Sequence, residues 1–143
     1  MTKVGTISSL FYSPVSGHTM AEELLLDTEG IVNDKHHNKN INRSVLITSL
    51  ESYKLVEEHG IDVPYGSLGE NLLMDYNPYH LPAGARLKIG NVVLEISQYC
   101  TLCKSLTKLD AKIPKLLKND RGIFARVVES GTITIGDNIY ILD

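Results

Sequence analysis

The feature of this sequence that most constrains its fold is the recurrence of short, β-prone runs separated by turn residues. Val4 to Leu10, Arg43 to Thr48, Leu68 to Met74, Ala85 to Ile89, Val92 to Ser97, Ile123 to Val128 and Asn138 to Leu142 read as strands. Many short strands accompanied by two or three short helices predict a mainly β fold, a closed or nearly closed barrel. Lys88-Ile89-Gly90-Asn91-Val92-Val93 places a two-residue Gly-Asn connection between apolar runs, which signals a tight hairpin. Ile135-Gly136-Asp137-Asn138 repeats that pattern near the C-terminus. No linker or low-complexity stretch divides residues 1–143, so one domain is expected.

One helix is well signalled. Thr48-Ser49-Leu50-Glu51 matches a capping box with Thr48 as the cap, Leu50, Tyr53 and Val56 mark one face, and Gly60 is placed to end it. A second helix is expected over Lys104 to Lys112, and Pro114 would interrupt it and open a short turn to Lys118.

Composition narrows the class of function. Hydrophobic residues make up 43% of the chain and charged residues 22%, a globular balance. No apolar run approaches the roughly 18 residues of a membrane span, and the first residues read as a strand, so no membrane contact and a cytoplasmic location are expected. A net charge of −3 argues against a nucleic-acid partner. Half of the 14 basic residues nevertheless lie between Lys104 and Arg126, a local field that suits a small anionic ligand. The same lysines also read as a solvated helix face.

The chemistry-bearing candidates form four groups. Cys100 and Cys103 sit where a strand ends and a helix begins, a position that favours thiolate, the nucleophile and soft metal ligand. A buried apolar pair, a redox dithiol and a zinc site completed by His36 and His37 are alternative readings of the same spacing. Asn33-Asp34-Lys35-His36-His37 packs charged and imidazole groups into a stretch without apolar periodicity. Gly66-Ser67-Leu68-Gly69-Glu70-Asn71 combines two glycines with an acceptor and an amide. Arg121 stands at a strand entry, and Arg126 lies on that strand among apolar neighbours, where it needs a partner or ligand.

In this order the groups resemble the MOSC family, named for the C-terminal domain of molybdenum cofactor sulfurases. The matching pieces are Gly30-Ile31-x-x-Asp34-Lys35-His36, Arg43-x-Val45, Gly69-Glu70-Asn71, Leu81-Pro82-Ala83-Gly84-x-x-Leu87-x-Ile89-Gly90, Cys100 with Cys103, Arg121-Gly122-x-Phe124-Ala125-Arg126-Val127 and Gly136-Asp137. Where the family usually has glycine before the aspartate, this chain has Asn33, a residue that tolerates the left-handed backbone.

The resemblance implies a β-barrel-like MOSC fold over the whole chain and a bound molybdenum cofactor (molybdopterin). It implies Cys100 as molybdenum ligand or persulfide carrier, with Cys103 supporting it. It assigns Lys35, His36, Arg43, Arg121 and Arg126 to the pterin phosphate, and Asn71 to the pterin or the pocket wall. Reduction of N-hydroxylated compounds and transfer of sulfur or cofactor are the implied activities, with a redox or sulfur-donor protein as partner. The alternatives are a non-catalytic carrier and a small ligand-binding barrel without chemistry. The desulfurase domain of the large sulfurases has no counterpart here, so no pyridoxal phosphate is expected within these residues.

Overall fold

The seven runs expected as strands do form one closed sheet. The structure, a computed structural model, describes residues 1–14, 17–99, 110–117 and 121–142. Its elements in chain order are β1 (Thr2–Tyr12), β2 (Thr19–Ala21), β3 (Glu23–Asp27), β4 (Gly30–Ile31), a 3-10 turn (Ile41–Arg43), β5 (Val45–Ser49), α1 (Leu50–Glu58), β6 (Leu72–Met74), β7 (Arg86–Ile89), β8 (Val92–Tyr99), α2 (Ile113–Leu116), β9 (Ile123–Glu129), β10 (Gly131–Thr134) and β11 (Asn138–Leu142). The order β11-β7-β8-β9-β5-β6-β1 closes through pairing of β1 with β11, giving a seven-stranded barrel. Among the described residues only β5 and β6 pair in parallel, and the connection between them carries α1, as a parallel crossover requires. No helix among the described residues is long and apolar enough to cross a membrane.

Alternation decides which side chains enter the barrel. On β9, Ile123, Ala125 and Val127 point into the main core while Phe124 and Arg126 face outward. On β8, Leu94 and Ile96 point inward and Glu95 outward. β5 is buried along its whole length, because Val45 and Ile47 join the core while Leu46 packs with Phe124 on the outer wall. A second core, built on Tyr53, Val56, Ile61, Leu73, Ile113 and Leu117, seats α1 and α2 against the outside of β6.

Local signals mostly hold, with informative exceptions. The Gly90-Asn91 turn joins Ile89 to Val92 in register, with φ of +59° at Gly90. A Cβ there would lie 2.8 Å from the Thr132 carbonyl oxygen, so glycine is required twice over. The Ile135–Asn138 echo is not a hairpin. It leads from β10, which pairs with β3 in a separate three-stranded sheet, to β11 in the barrel. Its polar groups are spent locally, Asp137 accepting from the Thr134 amide at 2.8 Å and Gly136 donating to the Ile7 carbonyl at 2.9 Å.

The helix cap moves by one residue. Ser49, not Thr48, accepts the first-turn amide of Glu51, whereas Thr48 points to the outer wall and donates to the Arg121 carbonyl at 3.1 Å. At the other end Gly60 donates to Glu57 and Ile61 to Val56, a Schellman stop whose Ile61 side chain is buried beside Val56. The expected run Leu68 to Met74 is a strand only from Leu72, because residues 66–71 form a turn with other duties. The helix expected over Lys104 to Lys112 falls largely outside the described residues. Within them, residues 110–112 are not helical, and α2 opens with Pro114 in its first turn, as expected of that proline.

Replacing Ser49 with alanine removes the cap of α1 and is expected to lower stability by about 1 kcal/mol, measured as a fall in the urea midpoint at unchanged slope.

Candidate functional site

The site is built outward from one buried carboxylate. Asn33 adopts φ of +74°, the left-handed backbone expected of it, and turns Asp34 inward. The Asp34 side chain is 1% exposed. One oxygen accepts from the Ser13 amide at 2.8 Å and the Asn71 side-chain amide at 3.4 Å. The other accepts from the His36 amide at 2.8 Å and meets His36 Nδ1 at 2.9 Å. With Nδ1 held by a carboxylate, Nε2 is the atom His36 has left for a ligand.

Asn71 is the second anchor. Its Oδ1 accepts from the Leu46 amide at 3.0 Å and its Nδ2 donates to the Phe11 carbonyl at 3.2 Å, while its own backbone bonds Leu46 and Phe11. One residue thus ties β1, β5 and the Asp34 loop together. Its side chain shapes the pocket wall, with both polar atoms already engaged.

The floor is the turn Gly66–Gly69, with φ of +94° at Gly66 and +83° at Gly69. Beneath it, Glu70 Oε2 accepts from Tyr53 Oη at 2.5 Å and from the Gly66 amide at 3.0 Å. Tyr53 Oη in turn accepts from the Leu68 amide at 3.2 Å. Burial pushes the Glu70 carboxyl above the ordinary carboxylate range. Burial, and then the neighbouring Glu70 charge, push the Tyr53 hydroxyl up as well.

Above this floor lies a cleft of about 800 Å³ on the outer wall of the barrel. Lys35, Lys39, Arg43 and Arg121 line it, with His36 and His18, and no Asp or Glu is among the described lining residues. Arg43 stacks its guanidinium 4.7 Å from the centre of the Phe124 ring, and Arg121 donates to the Leu68 carbonyl at 3.2 Å. In a chain of net charge −3 this gathers positive charge into one concavity, a field that favours an anion. A second cavity, of about 670 Å³ between α1 and residues 61–65, has the opposite character, with Glu51, Glu57, Asp62 and Asp75 against Lys54.

Of the residues singled out by sequence, Lys35, His36, Arg43, Asn71 and Arg121 line the cleft. Arg126 is not brought there. It faces out from β9 opposite Glu95 on β8, which it meets at 2.7 Å and which Arg86 also reaches at 3.2 Å. The Arg126 hydrogen bond holds the Glu95 carboxyl below its usual range despite the cost of burial. The partner that Arg126 needs is therefore a protein carboxylate.

His36 and His37 do not act together. His37 Nε2 turns to Asp27 at 2.8 Å. Cys100 and Cys103 lie outside the described residues. The described strand β8 ends at Tyr99, paired with Ile123, the neighbour of the cleft residue Phe124. Ser13, His18 and Lys39 line the cleft and were not foreseen. For Lys39 a signal existed, its spacing of four from Lys35 in the same polar loop. For His18 there was none.

The fold and the site together define a small closed β-barrel domain with a cationic cleft on its outer wall. The family model of the MOSC domain matches residues 33–140, and the chain belongs to that family, which is associated with molybdenum-cofactor-related proteins. Comparison with curated proteins finds no match. Among solved structures, the YUAD protein from Bacillus subtilis is similar over 95% of this chain and 94% of its own, with a TM-score of 0.84 and 17% identity. YiiM from Geobacillus stearothermophilus is similar over 99% of this chain and 75% of its own, with a TM-score of 0.75 and 17% identity. YiiM from Escherichia coli is similar over 96% and 70%, with a TM-score of 0.70 and 18% identity. At such identities the likeness is one of fold.

Because the Glu70 pKa is raised in the folded state, the protonated carboxyl contributes stability that is complete below its ordinary pKa of about 4.3 and is lost as pH rises through the folded value. Urea denaturation followed upward from about pH 4 is expected to show this decline in the wild type and a flatter profile in Glu70→Gln.

Proposed function

We propose that this chain binds the molybdenum cofactor in the cationic cleft and works through Cys100, as molybdenum ligand or persulfide carrier. The observation that carries the reading is the convergence of Lys35, Lys39 and Arg43, beside Arg121, on a cleft with no Asp or Glu among its described lining residues. The cofactor is an anionic pterin phosphate with a sulfur-rich metal, and the donor set fits it. Arginine forks match phosphate oxygens, and a thiolate matches a soft metal centre.

Lys35, Lys39, Arg43 and Arg121 would hold the phosphate. His36, oriented by Asp34, would offer Nε2 to the ligand, and Asn71 and the Gly66–Gly69 turn would form the wall against which it rests. The assignment of Cys100 rests on its place in the ordered motif set, between Leu81–Gly90 and Arg121–Val127. When bound, the cofactor supplies two-electron redox chemistry or a transferable sulfur. The chain's own groups bind it, orient it and neutralise its charge. Reduction of N-hydroxylated compounds is one outcome and sulfur or cofactor transfer the other, each with a redox or sulfur-donor protein as partner.

Protein purified from a host that makes the cofactor is expected to contain molybdenum, which elemental analysis would find lost in Cys100→Ser. Arg43→Ala should weaken retention by about 10- to 150-fold, from roughly 1.5–3 kcal/mol for a charged hydrogen bond. Wild-type protein free of molybdenum under those conditions would overturn the reading. Persulfide on Cys100 without turnover of a hydroxylamine would select the carrier over the reductase.

A further inference from the structure

Ser13 and His18 form a pair that the cofactor reading does not use. Ser13 Oγ lies 2.6 Å from His18 Nδ1, and His18 Nε2 lies 2.8 Å from the backbone carbonyl oxygen of Glu70. A carbonyl only accepts, so Nε2 carries the proton. In the neutral ring Nδ1 is then the acceptor, and the Ser13 hydroxyl must donate to it. The ring is held in place by stacking on Phe11, with centroids 5.3 Å apart and planes 14° from parallel. Ser13 is fixed by its own amide on buried Asp34 and by its carbonyl, which accepts from Lys35 at 2.7 Å. Both residues line the cationic cleft. A hydroxyl aimed at an imidazole whose other nitrogen is oriented by a third group is the arrangement of an activated serine nucleophile.

We infer that Ser13 is a nucleophile with His18 as its general base, and that the cleft hydrolyses small carboxylic esters bearing an anionic group. Lys35, Lys39 and Arg43 select the anionic group, and the positive field of the cleft favours the oxyanion that develops at the carbonyl. Ser13 Oγ adds to the carbonyl carbon as its proton passes to His18 Nδ1. The bond to the alcohol oxygen breaks, and His18 returns the proton to the leaving alkoxide. Water then adds to the acyl-serine with His18 again taking a proton, and release of the carboxylic acid restores the Ser13 hydroxyl. Ester and water become acid and alcohol, with no change of oxidation state. The step draws on neither molybdenum nor Cys100 but shares the cleft and its cations with the cofactor reading, so labelling is read on protein that elemental analysis finds free of molybdenum.

The test is labelling of the folded wild-type protein with a fluorophosphonate probe, followed by peptide mass spectrometry. One adduct per chain, on Ser13, is expected. Ser13→Ala should take none, and His18→Gln should label at least about 100-fold more slowly, the contribution of a positioned base. Turnover of 4-nitrophenyl hemisuccinate should exceed that of 4-nitrophenyl acetate, and Arg43→Glu should abolish the preference. Failure of wild-type protein to label at Ser13 would overturn the inference without recourse to any variant. Equal labelling rates in wild type and a His18→Gln protein with native circular dichroism would show a structural hydrogen bond and overturn it equally. Loss of molybdenum binding with labelling intact would count against the cofactor reading alone.

Discussion

The site depends on the burial of Asp34. A carboxylate withdrawn from water is costly unless each oxygen is met by donors, and here both are. Those donors come from the end of β1, from Asn71 before β6, and from the Asp34 loop itself. Meeting the needs of one anion therefore fixes the relative positions of three segments that are distant in sequence. The cleft is the space left above that knot. Its cations sit on the outside, where solvent and an incoming anion can reach them, while the carboxylate that positions them is sealed beneath.

The same separation of charge runs through the molecule. Glu70 is buried under the Gly66–Gly69 turn, where its charge is opposed by burial and its role is to hold two backbone amides through Oε2 and the Tyr53 hydroxyl. Glu95 draws Arg126 and Arg86 to a different face of the barrel. The carboxylates of the second cavity lie along α1 and residues 61–65. Among the described residues no carboxylate lines the cleft beside Lys35, Lys39 and Arg43, so a net negative protein presents a positive concavity there.

Much of the barrel was legible because its seven strands obey local rules. Each run has β-type residues and is bounded by turn formers, and Gly90-Asn91 has the chemistry of a two-residue turn. β2, β3, β4 and β10 were not legible. They are short, and in Glu23–Asp27 three consecutive leucines hide the alternation, since Leu24 and Leu26 are buried while Leu25 is exposed. The cap of α1 was misplaced by one residue because Thr48 and Ser49 are equally good caps in isolation. Only the orientation of β5 in the barrel sends Thr48 to the Arg121 carbonyl.

For the site, residue type and order were enough to nominate Lys35, His36, Arg43, Asn71 and Arg121, and the left-handed turn at Asn33. By itself the sequence determined the seven barrel strands, the Gly90-Asn91 turn and the family, because these rest on short-range conformational preference and on ordered motifs. Tertiary structure alone decided that Arg126 serves Glu95, that His37 turns away to Asp27, and that His18 reaches Ser13 and Glu70. Those outcomes depend on which side of a closed barrel a side chain faces and on which distant backbone lies opposite it. Neither is a local property of the chain.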